Sequence, residues 1–125
     1  FVEKPLAAGE LLFEQGDPGD CLYIVTRGSI TVIAGAGGEA EGERYLSASA
    51  GMMLGETAML DGAGRSARAC ADEAASVQVL SRAELDRICH ADAALGALLY
   101  RAIALHLSQR LRSATALRLD RPRAR

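Results

Sequence analysis

The chain has 125 residues, with 14 basic and 16 acidic side chains and a formal net charge of −2. That is one domain's worth of protein, long enough to bury a core without disulfide staples. A hydrophobic content of 50% excludes wholesale disorder, and 4% aromatics with no Trp excludes a large stacking platform for single-stranded nucleic acid. A collagen, a coiled coil over the whole length and a disulfide scaffold are excluded by composition as well. The averages hide two asymmetries. Twelve of the 13 glycines lie within residues 1–64. Residues 1–107 carry 8 basic and 15 acidic groups, whereas residues 108–125 carry six arginines and Asp120. The front is built from turns, and the back end is a basic tail.

In chain order, residues 1–80 read as short strands. Leu11–Phe13 lead into Gln15-Gly16-Asp17-Pro18-Gly19-Asp20, a dense run of turn residues. Cys21–Thr26 is β-branched and aromatic, and Arg27-Gly28-Ser29 turns it into Ile30–Ile33, a hairpin signal. Residues 35–43 form a glycine-rich loop with three acids, and Tyr45-Leu46 restart a strand. Ala67–Ala71 and Val77–Leu80, split by Asp72-Glu73, are two more strand candidates. Strands this short and this evenly spaced predict a mainly β fold, a β-roll of the jelly-roll kind, over about residues 1–80.

The pattern changes at Ser81. Ser81-Arg82-Ala83-Glu84 is a capping box, in which the hydroxyl caps the third amide and Glu84 reaches back. A first helix runs to about His90. A second starts near Asp92 and runs to roughly Leu117, with Leu95, Leu98, Leu99, Ala102, Ile103, Leu107 and Leu111 at helical spacing. Its far end lies over the β-roll, against another subunit, or in solvent. The domain is thus expected over 1–117, with the helices at about 81–117 and a basic tail or linker at 118–125.

Chemistry concentrates in Gly51-Met52-Met53-Leu54-Gly55-Glu56-Thr57-Ala58-Met59-Leu60-Asp61-Gly62-Ala63-Gly64-Arg65-Ser66-Ala67. Gly55-Glu56 opens a helical turn over Thr57–Leu60, a glycine-rich loop closes it, and Arg65 follows ten residues after Gly55. Unpaired amides at the start of a helical turn, a glycine that admits a ligand to the backbone, and a guanidinium that forks onto two oxygens make an anion cradle. Ser66 adds a hydroxyl donor. Glu56 would repel a bare anion, but accepts a hydrogen bond from a sugar hydroxyl. Such a cleft suits a phosphorylated sugar better than free phosphate.

Here the chain resembles the cyclic nucleotide-binding domain family over roughly residues 6–117. One block, Gly9-Glu10-x-Leu12-Phe13-x-x-Gly16-Asp17 with Leu22-Tyr23-Ile24-Val25 and Gly28-x-Ile30-x-Val32, looks like the family's N-terminal strands. The other, from Gly55 to Ala67, looks like its phosphate-binding cassette. The resemblance implies a β-roll followed by two helices. It places Arg65, Ser66, Thr57 and Ala58 at a cyclic phosphate, and Glu56 with Gly55 at the ribose. Met53, Leu54, Val32 and Tyr45, with Arg110 and Arg112 from the last helix, are candidates to wall the base. Leu54, Met59 and Arg68 depart from the family pattern. Arg68 is read either as a surface choice on its strand or as a change to the pocket.

Each residue also has a plainer role. An internal salt bridge between Arg65 and Glu56 would hold the loop, and Ser66 would serve as a turn hydroxyl. Core packing competes for the base-wall residues, and a solvated helix face for Arg110 and Arg112. Cys21, Cys70 and Cys89 show no CxxC spacing and read as small apolar residues of a reducing compartment. His90 and His106 show no metal-ligand spacing, so no metal is expected. The expectation is a non-catalytic sensor that binds cyclic AMP first and cyclic GMP second. Its partners would be that nucleotide, an attached domain of a larger bacterial parent, and a second copy met through the C-terminal helix; no nucleic acid is expected. The chain starts at Phe1 and has no apolar run near the ~20 residues of a membrane span. It reads as a cytoplasmic piece, or as the cytosolic domain of a membrane-anchored parent. The alternatives are a ligand-free dimerisation module and a cupin-like metalloenzyme. The latter needs histidines on strands, and residues 1–80 hold none.

Overall fold

A computed structural model of the protein describes residues 1–34 and 44–120, with the backbone alone at 34, 44–45 and 113–120. The loop expected over 35–43 and residues 121–125 of the tail lie outside the described residues. The elements run β1 (Val2–Leu6), β2 (Leu11–Phe13), β3 (Cys21–Arg27), β4 (Ile30–Ala34), β5 (Arg44–Ala48), β6 (Met53–Leu54), α1 (Glu56–Asp61), β7 (Arg68–Ala71), β8 (Ala75–Ser81), α2 (Arg82–Ala91) and α3 (Ala93–Asp120). The order is a β-roll followed by two helices. The strands form two antiparallel sheets, β1-β8-β3-β6 and β2-β7-β4-β5.

Alternation decides which face is buried. Ile30 and Val32 on β4 point inward while Thr31 and Ile33 are half-buried, and Ala69 and Ala71 on β7 alternate with exposed Arg68. These residues join Leu6, Phe13, Val25, Ala48, Leu54, Ala67, Ala75 and Val77 in one core cluster drawn from both sheets. Its many alanines let the two layers approach closely at native packing density.

The expected hairpin from Cys21–Thr26 to Ile30–Ile33 is not formed. β3 pairs with β8 and β6 in one sheet, and β4 pairs with β5 and β7 in the other. A bulge between Val25 and Arg27 bends β3 away from the ladder. Thr26 Oγ1 donates to the Ser76 carbonyl there at 3.1 Å. Gly28, at φ +81°, then sends the chain across to the second sheet. Alternating apolar residues on both sides of a turn are satisfied equally by a hairpin and by a crossing between layers. Only the long-range partners choose. β1, which the sequence pattern did not single out, carries Pro5 and lies at a sheet edge, where a missing amide is tolerated.

Residues Phe1–Arg87 and Ile88–Arg125 are two compact units. At the end of the first, Ser81 Oγ accepts the Glu84 amide at 3.0 Å, one half of the expected capping box. The other half is absent. Ser81 is the last residue of β8, paired with Cys21, and the Glu84 carboxylate holds Arg87 instead. In the second unit, Asp92 joins the helices. Its amide donates to Ile88 O at 2.8 Å, and its Oδ1 caps α3 by accepting the Leu95 amide at 3.1 Å. Gly96 packs on Cys89 so closely that a methyl group would meet Cys89 Cα at 2.9 Å. α3 continues to Asp120, three residues past the expected end, burying Ile103 and leaving Leu98, Leu105 and Leu111 exposed. Among the described residues no helix is long and apolar enough to cross a membrane.

A methyl group at Gly28 would meet Ala74 O at 2.6 Å and Ala75 Cα at 2.9 Å, on top of the left-handed backbone. Gly28→Ala is therefore expected to lower the unfolding free energy by at least about 2 kcal/mol, read by urea denaturation. A loss below about 1 kcal/mol would show that the crossing is not constrained.

Candidate functional site

α1 begins immediately after Gly55, whose φ of 79° turns the chain sharply out of β6. No side chain caps the helix, so its first-turn amides lack intrahelical acceptors. β6 is fixed by pairing Leu54 with Tyr23 and Met53 with Ile24 on β3. At the other end, the Gly62 amide closes α1 on Ala58 O at 2.9 Å, and Asp61 Oδ1 accepts the Ala63 amide at 2.9 Å. Arg82, the first residue of α2, donates through Nη1 to Met59 O at 3.1 Å, and its amide donates to Asp20 O at 2.7 Å.

Arg65 then returns to the start of this turn. Its amide donates to Asp17 O at 2.7 Å, and its carbonyl accepts the Gly16 amide at 2.8 Å. Gly64 passes the same turn so closely that a methyl group would meet Gly16 O at 2.9 Å. The two sequence blocks, some 50 residues apart, are thus bonded backbone to backbone. The Arg65 side chain is 4% exposed. Nη1 donates to Gly55 O at 2.9 Å, and Nη2 lies 3.4 Å from Cys21 Sγ. Its Cζ sits 4.7 Å from the Phe13 ring centroid and 5.4 Å from that of Tyr23. Its Nε is buried without a hydrogen-bond partner among the described residues.

The ion pairs among the described residues are Arg68–Glu14, Arg82–Asp86 and Arg87–Glu84, and Arg65 is in none of them. Glu56 is fully buried at the first position of α1, beside the Gly55 carbonyl that Arg65 holds. Ala58 is buried, and Thr57 and Ser66 are exposed. Met53 is half-buried, while Leu54 and Val32 belong to the core cluster. The Tyr45 side chain lies outside the described residues. Arg110 and Arg112 are exposed on α3, in the second unit. Arg68 is a surface residue that pairs with Glu14 at 3.4 Å. Among the described residues no group of three metal-ligating side chains occurs.

Sequence reasoning missed Phe13, Gly19, Cys21 and Tyr23 as neighbours of Arg65. Phe13 was read only as a strand residue, and Cys21 as a small apolar one. A methyl group at Gly19 would meet Arg65 Cζ at 2.5 Å, so that residue clears room for the guanidinium. No local spacing announces any of these. The one signal is that Phe13 and Tyr23 belong to the block carrying the N-terminal part of the resemblance, with Gly19 and Cys21 in the gap between its pieces.

Residues 3–92 match the family model for the cyclic nucleotide-binding domain. The chain belongs to that family. Among curated proteins it is 33% identical over 88 residues to a cAMP-dependent protein kinase regulatory subunit of Blastocladiella emersonii. The match covers 70% of this chain and 22% of the relative, so the chain spans about a fifth of that protein's length. Among solved structures it is similar to a cyclic nucleotide-binding domain from Methylobacillus flagellatus, with a TM-score of 0.89 and 27% identity over 98% of this chain and 68% of the other. The Thermus thermophilus catabolite activator protein gives a TM-score of 0.79 and 32% identity over 96% of this chain and 54% of its own. The fold expected from the strand pattern and the family expected from the two blocks stand, and the kinase relative is by its name a regulatory subunit.

Within this cyclic nucleotide-binding domain, burial pushes the Tyr23 phenol from its ordinary 10.0 up to about 12; the Cys21 thiol adds to the rise and Arg65 opposes it. The folded state then holds this proton more tightly than the unfolded chain does. Its contribution to stability is complete below pH 10 and is lost as pH rises from about 10 to 12. Phenolate absorbance of the protein minus that of Tyr23→Phe is expected to isolate a group with its midpoint near 12. A midpoint at 10 would show that the ring is solvated.

Proposed function

We propose that this domain is a sensor that binds a 3′,5′-cyclic mononucleotide, cyclic AMP ahead of cyclic GMP, and has no catalytic role of its own. The observation that carries the reading is Arg65, a guanidinium 4% exposed, its Nε without a described acceptor, held against Gly55 at the mouth of α1. A buried cation that no carboxylate among the described residues meets leaves several kcal/mol of desolvation only partly offset. A cyclic phosphate supplies the missing negative charge and accepts from the guanidinium in two places. The Thr57 and Ala58 amides and the Ser66 hydroxyl complete the phosphate side. Glu56 and the Gly55 backbone take the ribose, where a carboxylate accepts the 2′-hydroxyl proton. Met53 lies next to this site on β6 and is assigned to the base, with Tyr45 as a further candidate. The name of the kinase relative, with cAMP in it, supports placing cyclic AMP first.

Binding is read as a pull on the cassette that the C-terminal helix relays to an attached domain. A ligand moves such an equilibrium only by its difference in affinity for the two states. Both named relatives are longer than this chain, which supports an attached output domain. A soluble cytoplasmic setting and self-association through α3 belong to the same proposal.

Titration calorimetry with cyclic AMP and cyclic GMP tests the reading. Arg65→Ala is expected to weaken binding about 10-fold to 150-fold, the worth of a charge-assisted hydrogen bond. No heat with either nucleotide would overturn the proposal in favour of a folded, ligand-free module. Binding unchanged in Arg65→Ala would overturn the site alone. Glu56→Gln and 2′-deoxy cyclic AMP should each weaken binding, and together no more than either alone. Multiplying losses would remove Glu56 from the ribose.

A further inference from the structure

We infer that Phe13 and Tyr23 are positioning residues for the ligand-binding cation: their stacked rings form a shelf that holds Arg65 in place before any ligand arrives. The inference rests on the reading that Arg65 meets the ligand. It concerns how the side chain is held, and not what it binds.

The geometry is specific. The two rings are stacked, with centroids 5.8 Å apart and planes inclined by 24°. Phe13 ends β2 and Tyr23 lies in β3, so the stack bridges the two sheets at the edge of the core. Arg65 Cζ lies within cation–π range of both rings. A long arginine ordinarily loses much rotamer freedom when it is fixed, and pre-placement removes that loss from the binding step. Among the described residues the Gly55 carbonyl and the Cys21 thiol also meet the guanidinium, each at one terminal nitrogen. Gly19 clears the space beside it. Nη1 is occupied by Gly55 O, whereas Nε is held in the slot with its N–H unspent. The shelf keeps that donor buried and ready.

Tyr23 also links the shelf to the cassette. It pairs with Leu54, the residue before Gly55, on β6, and with Val79 on β8. The strand that carries the ring is thus also the strand on which β6, leading to Gly55 and Glu56, is paired.

Two readouts test the inference. In the ligand-free protein, the Arg65 Nε–H resonance, assigned by its loss in Arg65→Lys, is expected upfield of the other arginines through ring-current shielding, and slow to exchange. In Phe13→Leu it should move to the ordinary arginine position, and in Phe13→Tyr it should stay. An unshifted signal in the wild type, or one unchanged in Phe13→Leu, overturns the inference. Should Phe13→Leu fail to fold, Tyr23→Leu serves the same comparison. The second readout is affinity for cyclic AMP. Phe13→Leu should weaken it about threefold to thirtyfold, the range of a partly desolvated cation–π contact, with recovery in Phe13→Tyr. In an Arg65→Ala background the same change should cost nothing further. An equal loss in both backgrounds would show that Phe13 acts independently of Arg65 and overturns the inference. If the wild type binds no cyclic nucleotide, the functional proposal fails, and the resonance alone decides whether the shelf holds.

Discussion

A guanidinium withdrawn from water has to be met by something, and the meeting of Arg65 organises this domain. A buried charge with no partner would cost several kcal/mol, a large share of the stability of any small domain. Arg65 is met by a carbonyl, a thiol and two aromatic faces, and among the described residues not by a carboxylate. These contacts are weaker than a full ion pair. A carboxylate in their place would compete with any anion offered to the guanidinium. Among the described residues the guanidinium is left without a carboxylate, at some cost in local stability.

The rest of the architecture supplies the parts of that arrangement from distant places. Phe13 comes from one sheet, Tyr23 from the other, and Gly16 and Asp17 from the turn between β2 and β3. The crossing at Gly28 places β3 and β4 in different layers, so β3 is free to take β6 and β8 as its neighbours. Had β3 and β4 formed a simple hairpin, Tyr23 would have been committed to a different sheet and the ring pair could not span the layers. The acidic balance of residues 1–107 does not by itself exclude the proposed anion site, because a buried cation such as Arg65 sets the potential at short range.

The local features were legible in the sequence. Glycines flank the cassette, and its short helix extends the foreseen Thr57–Leu60 by one residue at each end. Ser81 caps α2 as expected from its spacing to Glu84. The join of the two helices at Asp92 follows from a polar residue between two apolar periodicities. What was not legible depends on partners far away in the chain. The alternation of β3 and β4 is identical for a hairpin and for a crossing, so it misled. β1 is too polar and carries Pro5, so its strand identity comes only from pairing with β8. The ring stack involves residues whose types are equally good strand formers anywhere. For the site, the resemblance named Glu56 and Arg65, but the neighbours that shape Arg65 came only with coordinates.

Arg82 joins three pieces of chain that are otherwise separate. Its amide is bonded to Asp20, its guanidinium to Met59 at the far end of α1, and it is itself the first residue of α2. In mechanical terms the cassette helix and the first turn of α2 are pinned together at one point. α1 cannot shift along its axis without either breaking that bond or carrying the origin of α2 with it. A displacement of this six-residue helix along its axis would therefore be felt at the base of the next one, through the bond from Arg82 to Met59.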